Sequence, residues 1–226
     1  MAIATTLEER RAIADTVRKL LAEACSEKHV RATMETAEGI DRTLWSTLAD
    51  LGIAGLLIPA RFGGAGLGPV ELELVAEETG AALACTPFLS SSVLAAGLLM
   101  ESGDEAAGAR LLPGIAAGTT IATAALTGER GSWQAQDVAV TAHDEGGATR
   151  LSGVASYVLH AAIADVLLVV ARAADGHGLF EVDPRADGVQ IEALSTFDKT
   201  LRLGRITFSR APAQRIGNAG WPAVAA

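Results

Sequence analysis

Residues 111–127 read LLPGIAAGTTIATAALT, and the hydrophobic period changes inside this stretch. Upstream, apolar residues recur three and four apart, the spacing of one helix face. Downstream they alternate with polar residues, the spacing of strands. The 226 residues are enough for two small domains. The switch therefore divides the chain into a helical domain over 1–117 and a β domain over 118–226.

Working back from the switch, Thr6 and Glu9 form a capping box before Leu7, Ile13, Val17, Leu20 and Leu21, which share one face up to Cys25. Asp41 is placed as the N-cap of a helix carrying Leu44, Trp45, Leu48 and Leu51, with Gly52 just past its end. An apolar run, Ile53 to Pro59, leads into the glycine-rich loop Gly63–Gly68, read as a tight strand-to-helix turn. Pro69 opens a helix to about Leu83. Ser90 to Ser92 are placed as the cap of a helix ending near Gly103, and a short helix from Asp104 is expected to stop before Pro113.

Working forward, the strand candidates are Thr119–Thr127, Asp137–Ala142, Thr149–Ser152, Ser156–His160, Asp165–Arg172, Gly178–Val182, Val189–Leu194 and Arg202–Ser209. No segment between them is long enough for a crossover helix. The expected fold class is α+β, an N-terminal all-α domain followed by an antiparallel β-barrel or sandwich.

Half the residues are hydrophobic and a fifth are charged, which excludes wholesale disorder. Aromatics make up 4% while 45 residues are alanine, so the core is built from small and branched aliphatics. Eighteen basic against 27 acidic residues give a net charge of −9. Such a chain repels phosphate backbones and anionic lipid, which argues against nucleic-acid or membrane-surface binding. Thr79 to Met100 carries no charge, but Thr86, Pro87 and Ser90–Ser92 at its centre suit two helices meeting at a loop rather than a membrane span. Cys25 and Cys85 are read as buried thiols, and the charged stretch Leu7–Arg11 leaves no secretory leader. The expected location is cytoplasmic.

Motif chemistry is sparse. No dinucleotide or P-loop spacing can be laid over Gly63–Gly68. His29, His143, His160 and His177 lie far apart without metal-ligand spacing and read as surface or loop histidines. Glu77 and Glu78 point about 100° apart on a helix, so they cannot act as a carboxylate pair. Neither a nucleophile elbow nor an activated cysteine is present.

Several segments in order nevertheless resemble the acyl-CoA dehydrogenase family. Leu44–Gly52 followed by Pro59–Gly68 is similar to its tryptophan- and glycine-containing N-terminal signature, and Glu71–Gly80 to the acidic helix that follows. Ala124-Ala125-Leu126-Thr127 resembles the strand before its glycine-rich flavin loop, and Leu151-Ser152-Gly153 through Tyr157-Val158 to Ala164-Asp165 its next strand. The resemblance implies FAD lying against the β domain and taking a hydride from the β-carbon of an acyl-CoA thioester while a carboxylate removes the α-proton. It also implies an electron-transfer flavoprotein as acceptor and a homo- or hetero-oligomer, typically a tetramer.

Carried over by position, Ala125, Leu126 and Thr127 are implied flavin contacts, with a strand-end threonine bonding its own backbone as the other reading of Thr127. Tyr157 takes the aromatic place beside the flavin, or is a half-buried sheet tyrosine. Leu159 stands where the family usually has a hydroxyl, so one flavin hydrogen bond is lost. Gly131 and Ser132 match residues lining the acyl-CoA channel. Trp133 replaces the usual aspartate, and Arg130 reads as a solvated loop charge in preference to a CoA phosphate contact. The family's C-terminal helical bundle, which supplies the base, would begin where this sequence ends at Trp221–Ala226, so no catalytic residue is assigned. Three functions follow in order: a flavin-dependent dehydrogenase subunit acting on fatty-acyl or steroid side-chain thioesters, a degenerate non-catalytic partner in a heteromeric dehydrogenase, and a non-enzymatic acyl-CoA-binding module.

Overall fold

The computed structural model describes residues 5–218 and 220–225. Helix α1 (Leu7–Ala24) starts at the expected capping box: Thr6 Oγ1 accepts from Glu9 N, and Glu9 accepts from Thr6 N. A second helix, α2 (Glu27–Met34), follows behind Ser26 as N-cap; its short apolar face, Val30 with Thr33, gave no periodic signal. Asp41 caps α3 (Arg42–Asp50) by accepting from Leu44 N at 3.0 Å, and Gly52 takes the left-handed conformation past its end. Helix α4 spans Pro69–Ala81. Val17, Leu21, Leu44, Trp45, Leu48, Val75 and Phe88 form the core these helices share.

The glycine-rich loop is not preceded by a strand. It folds back on residues 55–59, with Ala65, Gly66 and Leu67 N–H groups donating to the carbonyls of Gly55, Ile58 and Leu56. A Cβ on Gly64 would meet Ile58 O at 2.0 Å, so only glycine allows this approach. Those N–H groups are spent on the chain itself and cannot cradle a phosphate.

Two helix boundaries also differ from expectation. Ser90–Ser92 cap nothing. They lie buried within a π-helical segment, Phe88–Ala95, that runs straight into α5 (Ala96–Glu101). Helix α6 (Glu105–Ala116) passes through Pro113, because burial of Leu111, Leu112 and Ile115 outweighs the missing amide bond.

The β region comprises β1 (Ala122–Ala125), β2 (Thr141–Glu145), β3 (Ala148–Leu159), β4 (Val166–Ala173), β5 (Gly176–Val182), β6 (Val189–Ala193) and β7 (Leu203–Ile216). They form one closed barrel, and it is mixed, not antiparallel as expected. β4 pairs in parallel with β1 and with the start of β2, while β2–β3, β3–β7, β4–β5, β5–β7 and β6–β7 are antiparallel. The missing crossover helix misled the expectation: here the β2–β3 hairpin itself carries the chain from β1 across to β4. Leu167, Val169, Phe180, Ile206 and Phe208 fill the barrel, whereas Leu168, Val170 and Leu179 pack outward with Ile58, Leu99, Leu112 and Ile115. β4 is thus apolar on both faces. A short helix, Pro222–Ala225 (α7), ends the described chain, and no helix among the described residues is long and apolar enough to cross a membrane.

One buried carboxylate ties the first turn of the chain to the glycine-rich loop. Glu71 accepts from the Thr5 hydroxyl, from Arg10 Nε at 2.9 Å and from Gly68 N at 2.9 Å. These bonds, led by that from Thr5, hold its carboxyl at about 2 against an ordinary 4.5. Because the folded state releases this proton more readily than the unfolded one, the contribution is complete at neutral pH. It is lost as the pH falls from 4.5 towards 2. Glu71→Gln should therefore lower stability by about 2 kcal/mol at neutral pH. Urea unfolding at stepped pH should show the gap to wild type closing in acid; a gap of constant size would contradict this account.

Candidate functional site

Strand β1 has a backbone ladder on one side only, with β4. On its other side, side-chain hydroxyls take over. Thr123 Oγ1 donates to Leu159 O at 2.6 Å, and Thr127 Oγ1 donates to Ser156 O. Ala122 N donates to Ser91 Oγ at 3.1 Å from the π-helical segment. Hydroxyls reach farther than backbone amides, so β1 and β3 stand apart at their edge. We call this unladdered edge the slot; on it Leu126, which is buried, keeps an N–H without an acceptor among the described residues.

The other wall of the slot is a bulge in β3. The pairing with β7 slips between Ala155 and Val158, and Tyr157 adopts φ +59°, a conformation that an aromatic residue rarely holds. Its ring is half exposed and lies across Gly131, where a Cβ would come within 2.5 Å of Tyr157 Cδ2. Gly131 is itself at φ +78° in a loop closed by Gly128 N donating to Ser132 O. Behind the bulge, Arg205 Nε donates to the fully buried Ser156 hydroxyl at 3.2 Å.

The residues singled out from sequence are thus only partly united. Thr127 bonds the Ser156 carbonyl next to Tyr157, and the Tyr157 ring lies across Gly131; Ala125 and Leu126 precede Thr127 in the chain, their side chains buried in two separate cores. Leu159 joins them through its carbonyl, and its apolar side chain offers no hydrogen bond. Ser132 is turned away: its hydroxyl donates to Asp137 and accepts from Gln134 N within the same loop. Trp133 and Arg130 are exposed. Thr127 does not bond its own backbone: its hydroxyl proton goes across to Ser156 O on β3, and its oxygen lone pairs stay available.

Sequence reasoning missed the polar seam beside this slot. Ser90 Oγ donates to Pro87 O and meets His160 Nδ1 at 3.0 Å. His160, expected at the surface, is 1% exposed, and burial pushes it down to about 4. Only the unusual run of three serines marked the place. Among the described residues no group of three His, Cys, Asp or Glu side chains gathers as a metal site. Both cysteines are free, and burial pushes the Cys85 thiol up to about 11, which leaves it unreactive.

Comparison with known proteins gives a consistent result. Residues 7–119 match the family model "Acyl-CoA dehydrogenase, N-terminal domain". Acyl-CoA dehydrogenase FadE27 of Mycobacterium tuberculosis is 33% identical over 192 residues, covering 85% of this chain and 50% of FadE27. A steroid ACAD variant, Tcur3481–Tcur3483, superposes with a TM-score of 0.85 at 34% identity, covering 94% of this chain and 58% of that one. The ChsE4–ChsE5 complex from Mycobacterium tuberculosis gives 0.87 at 30% identity, covering 98% and 59%. Solved structures sharing the fold at 20–21% identity hold FAD or FADH2. The chain spans about half the length of the curated relative and about three-fifths of the chains in the two solved assemblies.

Tyr157 is the chain's one tyrosine, so its ring signals in an NMR spectrum need no assignment. Gly131→Ala forces a Cβ into that ring at a positive φ and should move those signals while costing about 1–2 kcal/mol. Unchanged ring signals in a folded variant would show that the loop does not support the tyrosine.

Proposed function

The chain belongs to the acyl-CoA dehydrogenase family, and we propose that it forms the helical and barrel parts, meeting near residue 118, of a flavin-dependent subunit that dehydrogenates an acyl-CoA thioester. The observation that carries this reading is the slot between β1 and β3. There a buried unpaired N–H (Leu126) and an acceptor oxygen (Thr127) lie along an unladdered strand edge beside a half-exposed aromatic ring (Tyr157). That set suits a planar heteroaromatic ring with hydrogen-bonding edges, as the flavin of FAD has. Bound there, FAD would accept the hydride from the β-carbon of the thioester.

In this reading Leu126 N–H and Thr127 Oγ1 would hold the hydrogen-bonding edge of the flavin, with Tyr157 beside them. Gly131 leaves room for that tyrosine, and Leu159 supplies apolar contact that excludes water. Gly131 and Ser132 belong to the loop that would line the acyl-CoA channel, with Asp137 fixing the Ser132 hydroxyl. The α-proton would be removed by a carboxylate, a role to which no described residue is assigned. The electron acceptor is an electron-transfer flavoprotein, and the assembly is an oligomer in the cytoplasm. Steroid side-chain thioesters are favoured over plain fatty acyl ones, because a solved relative at 34% identity is named as a steroid enzyme.

A second reading has its own support. The two solved relatives at 30% identity or more are named as two-chain assemblies, and Leu159 has no hydroxyl to offer a flavin. In that reading this chain is the non-catalytic partner of a heteromeric enzyme.

The test purifies the full-length polypeptide alone and together with a related second chain. Flavin absorbance should co-purify and bleach anaerobically on addition of an acyl-CoA. Activity only in the co-expressed pair selects the second reading, whereas full activity alone excludes it. A preparation with neither flavin nor acyl-CoA binding defeats both. Tyr157→Ala should weaken flavin retention about tenfold, equivalent to about 1.4 kcal/mol.

A further inference from the structure

The loop Gly128–Val138, which carries Gly131 and Ser132, is bonded mostly to itself. Gly131 N donates to Gly128 O at 3.0 Å, Gly128 N to Ser132 O at 3.2 Å, and Asp137 N to Gln134 O at 2.9 Å. Glu129, Arg130, Trp133 and Gln134 are exposed, and burial resumes only at Val138. Among the described residues, one hydrogen bond reaches this loop from elsewhere in the fold: His177 Nε2 lies 2.9 Å from Ala135 O. At its other end the loop rests on Tyr157, whose ring lies against Gly131.

A carbonyl only accepts, so the direction of that bond is fixed: His177 carries a proton on Nε2 and donates it. Ala135 O has a second lone pair, which takes Val138 N at 3.3 Å. The donor stands on a laddered strand, since His177 lies in β5 opposite Arg172 of β4. The chain that leaves the barrel packs against it. The Trp221 ring stands beside the imidazole, with centroids 5.7 Å apart and planes tilted by 56°. Gly220, at φ +51°, passes so close that a Cβ would meet His177 O at 1.8 Å. That segment is fastened on either side of the contact. Gly217 N donates to Asp104 Oδ2 at 2.9 Å, and Ala223 is buried in the core shared by helices and barrel.

We infer that His177 is the positioning residue of the Gly128–Val138 loop. Its Nε2–H fixes the far side of the loop to the barrel, and the loop's internal bonds carry that restraint to Gly131 and Ser132. The place of Gly131 against the Tyr157 ring is thereby set from β5, although His177 touches neither residue's neighbours on β1 nor the bulge itself. The anchoring needs no flavin; its bearing on an acyl-CoA channel rests on the function proposed above.

The test uses flavin-free full-length protein, so a failure to bind flavin would defeat the proposed function and leave this experiment intact. His177→Phe keeps an aromatic ring beside Trp221 and removes the donor. It should speed trypsin cleavage after the exposed Arg130 about tenfold relative to the other trypsin sites, a comparison that separates loop opening from global unfolding. It should also shift the ring signals of Tyr157. His177→Gln, which offers an N–H at similar reach, should restore both readouts towards wild type. Unchanged cleavage and unchanged Tyr157 signals in folded His177→Phe would overturn the assignment, and so would a glutamine variant no better than phenylalanine. Nitrogen-15 NMR of the wild type in mildly alkaline buffer should show His177 protonated on Nε2. A ring protonated on Nδ1 alone would overturn the assignment even if the variants fail to fold.

Discussion

The structure depends on how the first strand of the barrel is held. β1 is only four residues long and has one laddered edge, yet it is the strand on which helices and barrel meet. Its other edge is secured by three side-chain oxygens, those of Ser91, Thr123 and Thr127. Each replaces a backbone bond that a neighbouring strand would have supplied, so Ala122 N, Leu159 O and Ser156 O are paired without closing the sheet, while Leu126 N–H is left over. A regular strand in that place would complete the ladder and fill the slot. Holding by hydroxyls keeps β1 ordered and leaves the slot open.

The opposite wall is held by strain with support around it. Tyr157 at φ +59° and His160 at φ +51° are costly conformations that persist only where surroundings enforce them. The surroundings here are specific: Arg205 fastens Ser156 from behind, Gly131 receives the Tyr157 ring, and Ser90 receives His160. The bulge turns an aromatic ring out of the sheet at the point where β1 stands away. Neither feature alone would make a site.

Much of the plan was legible in local signals. The capping box at Thr6, the cap at Asp41 and the left-handed Gly52 depend on neighbours in sequence, and they appear as read. The candidate residues on β1 and the bulge are singled out by resemblance alone, since nothing in composition or spacing marks Tyr157. What escaped was set by distant partners. The serines at 90–92 look like a cap, but they serve β1 and His160 thirty to seventy residues away. Pro113 looks like a stop, but the core on Leu112 and Ile115 carries the helix past it. The mixed sheet escaped because a hairpin made the crossover that a helix usually makes.

Charge placement adds a last constraint. Glu71 apart, the ion pairs between side chains lie at or near the surface, Arg18 with Glu78 and Arg110 with Glu181 among them. The arginines turned inward at the site and seam, Arg205 and Arg202, instead donate to a hydroxyl and to helix carbonyls. Their full charges thus stay behind the slot, and its lining from Ala125 to Thr127, with Gly131, Tyr157 and Leu159, is uncharged. Dipoles fixed by buried bonds need no reorganisation when a ring enters or changes charge, whereas mobile surface ions would. In a chain of net charge −9, an anionic group approaching this uncharged lining would have to be held by local donors such as the Leu126 N–H against an unfavourable overall field.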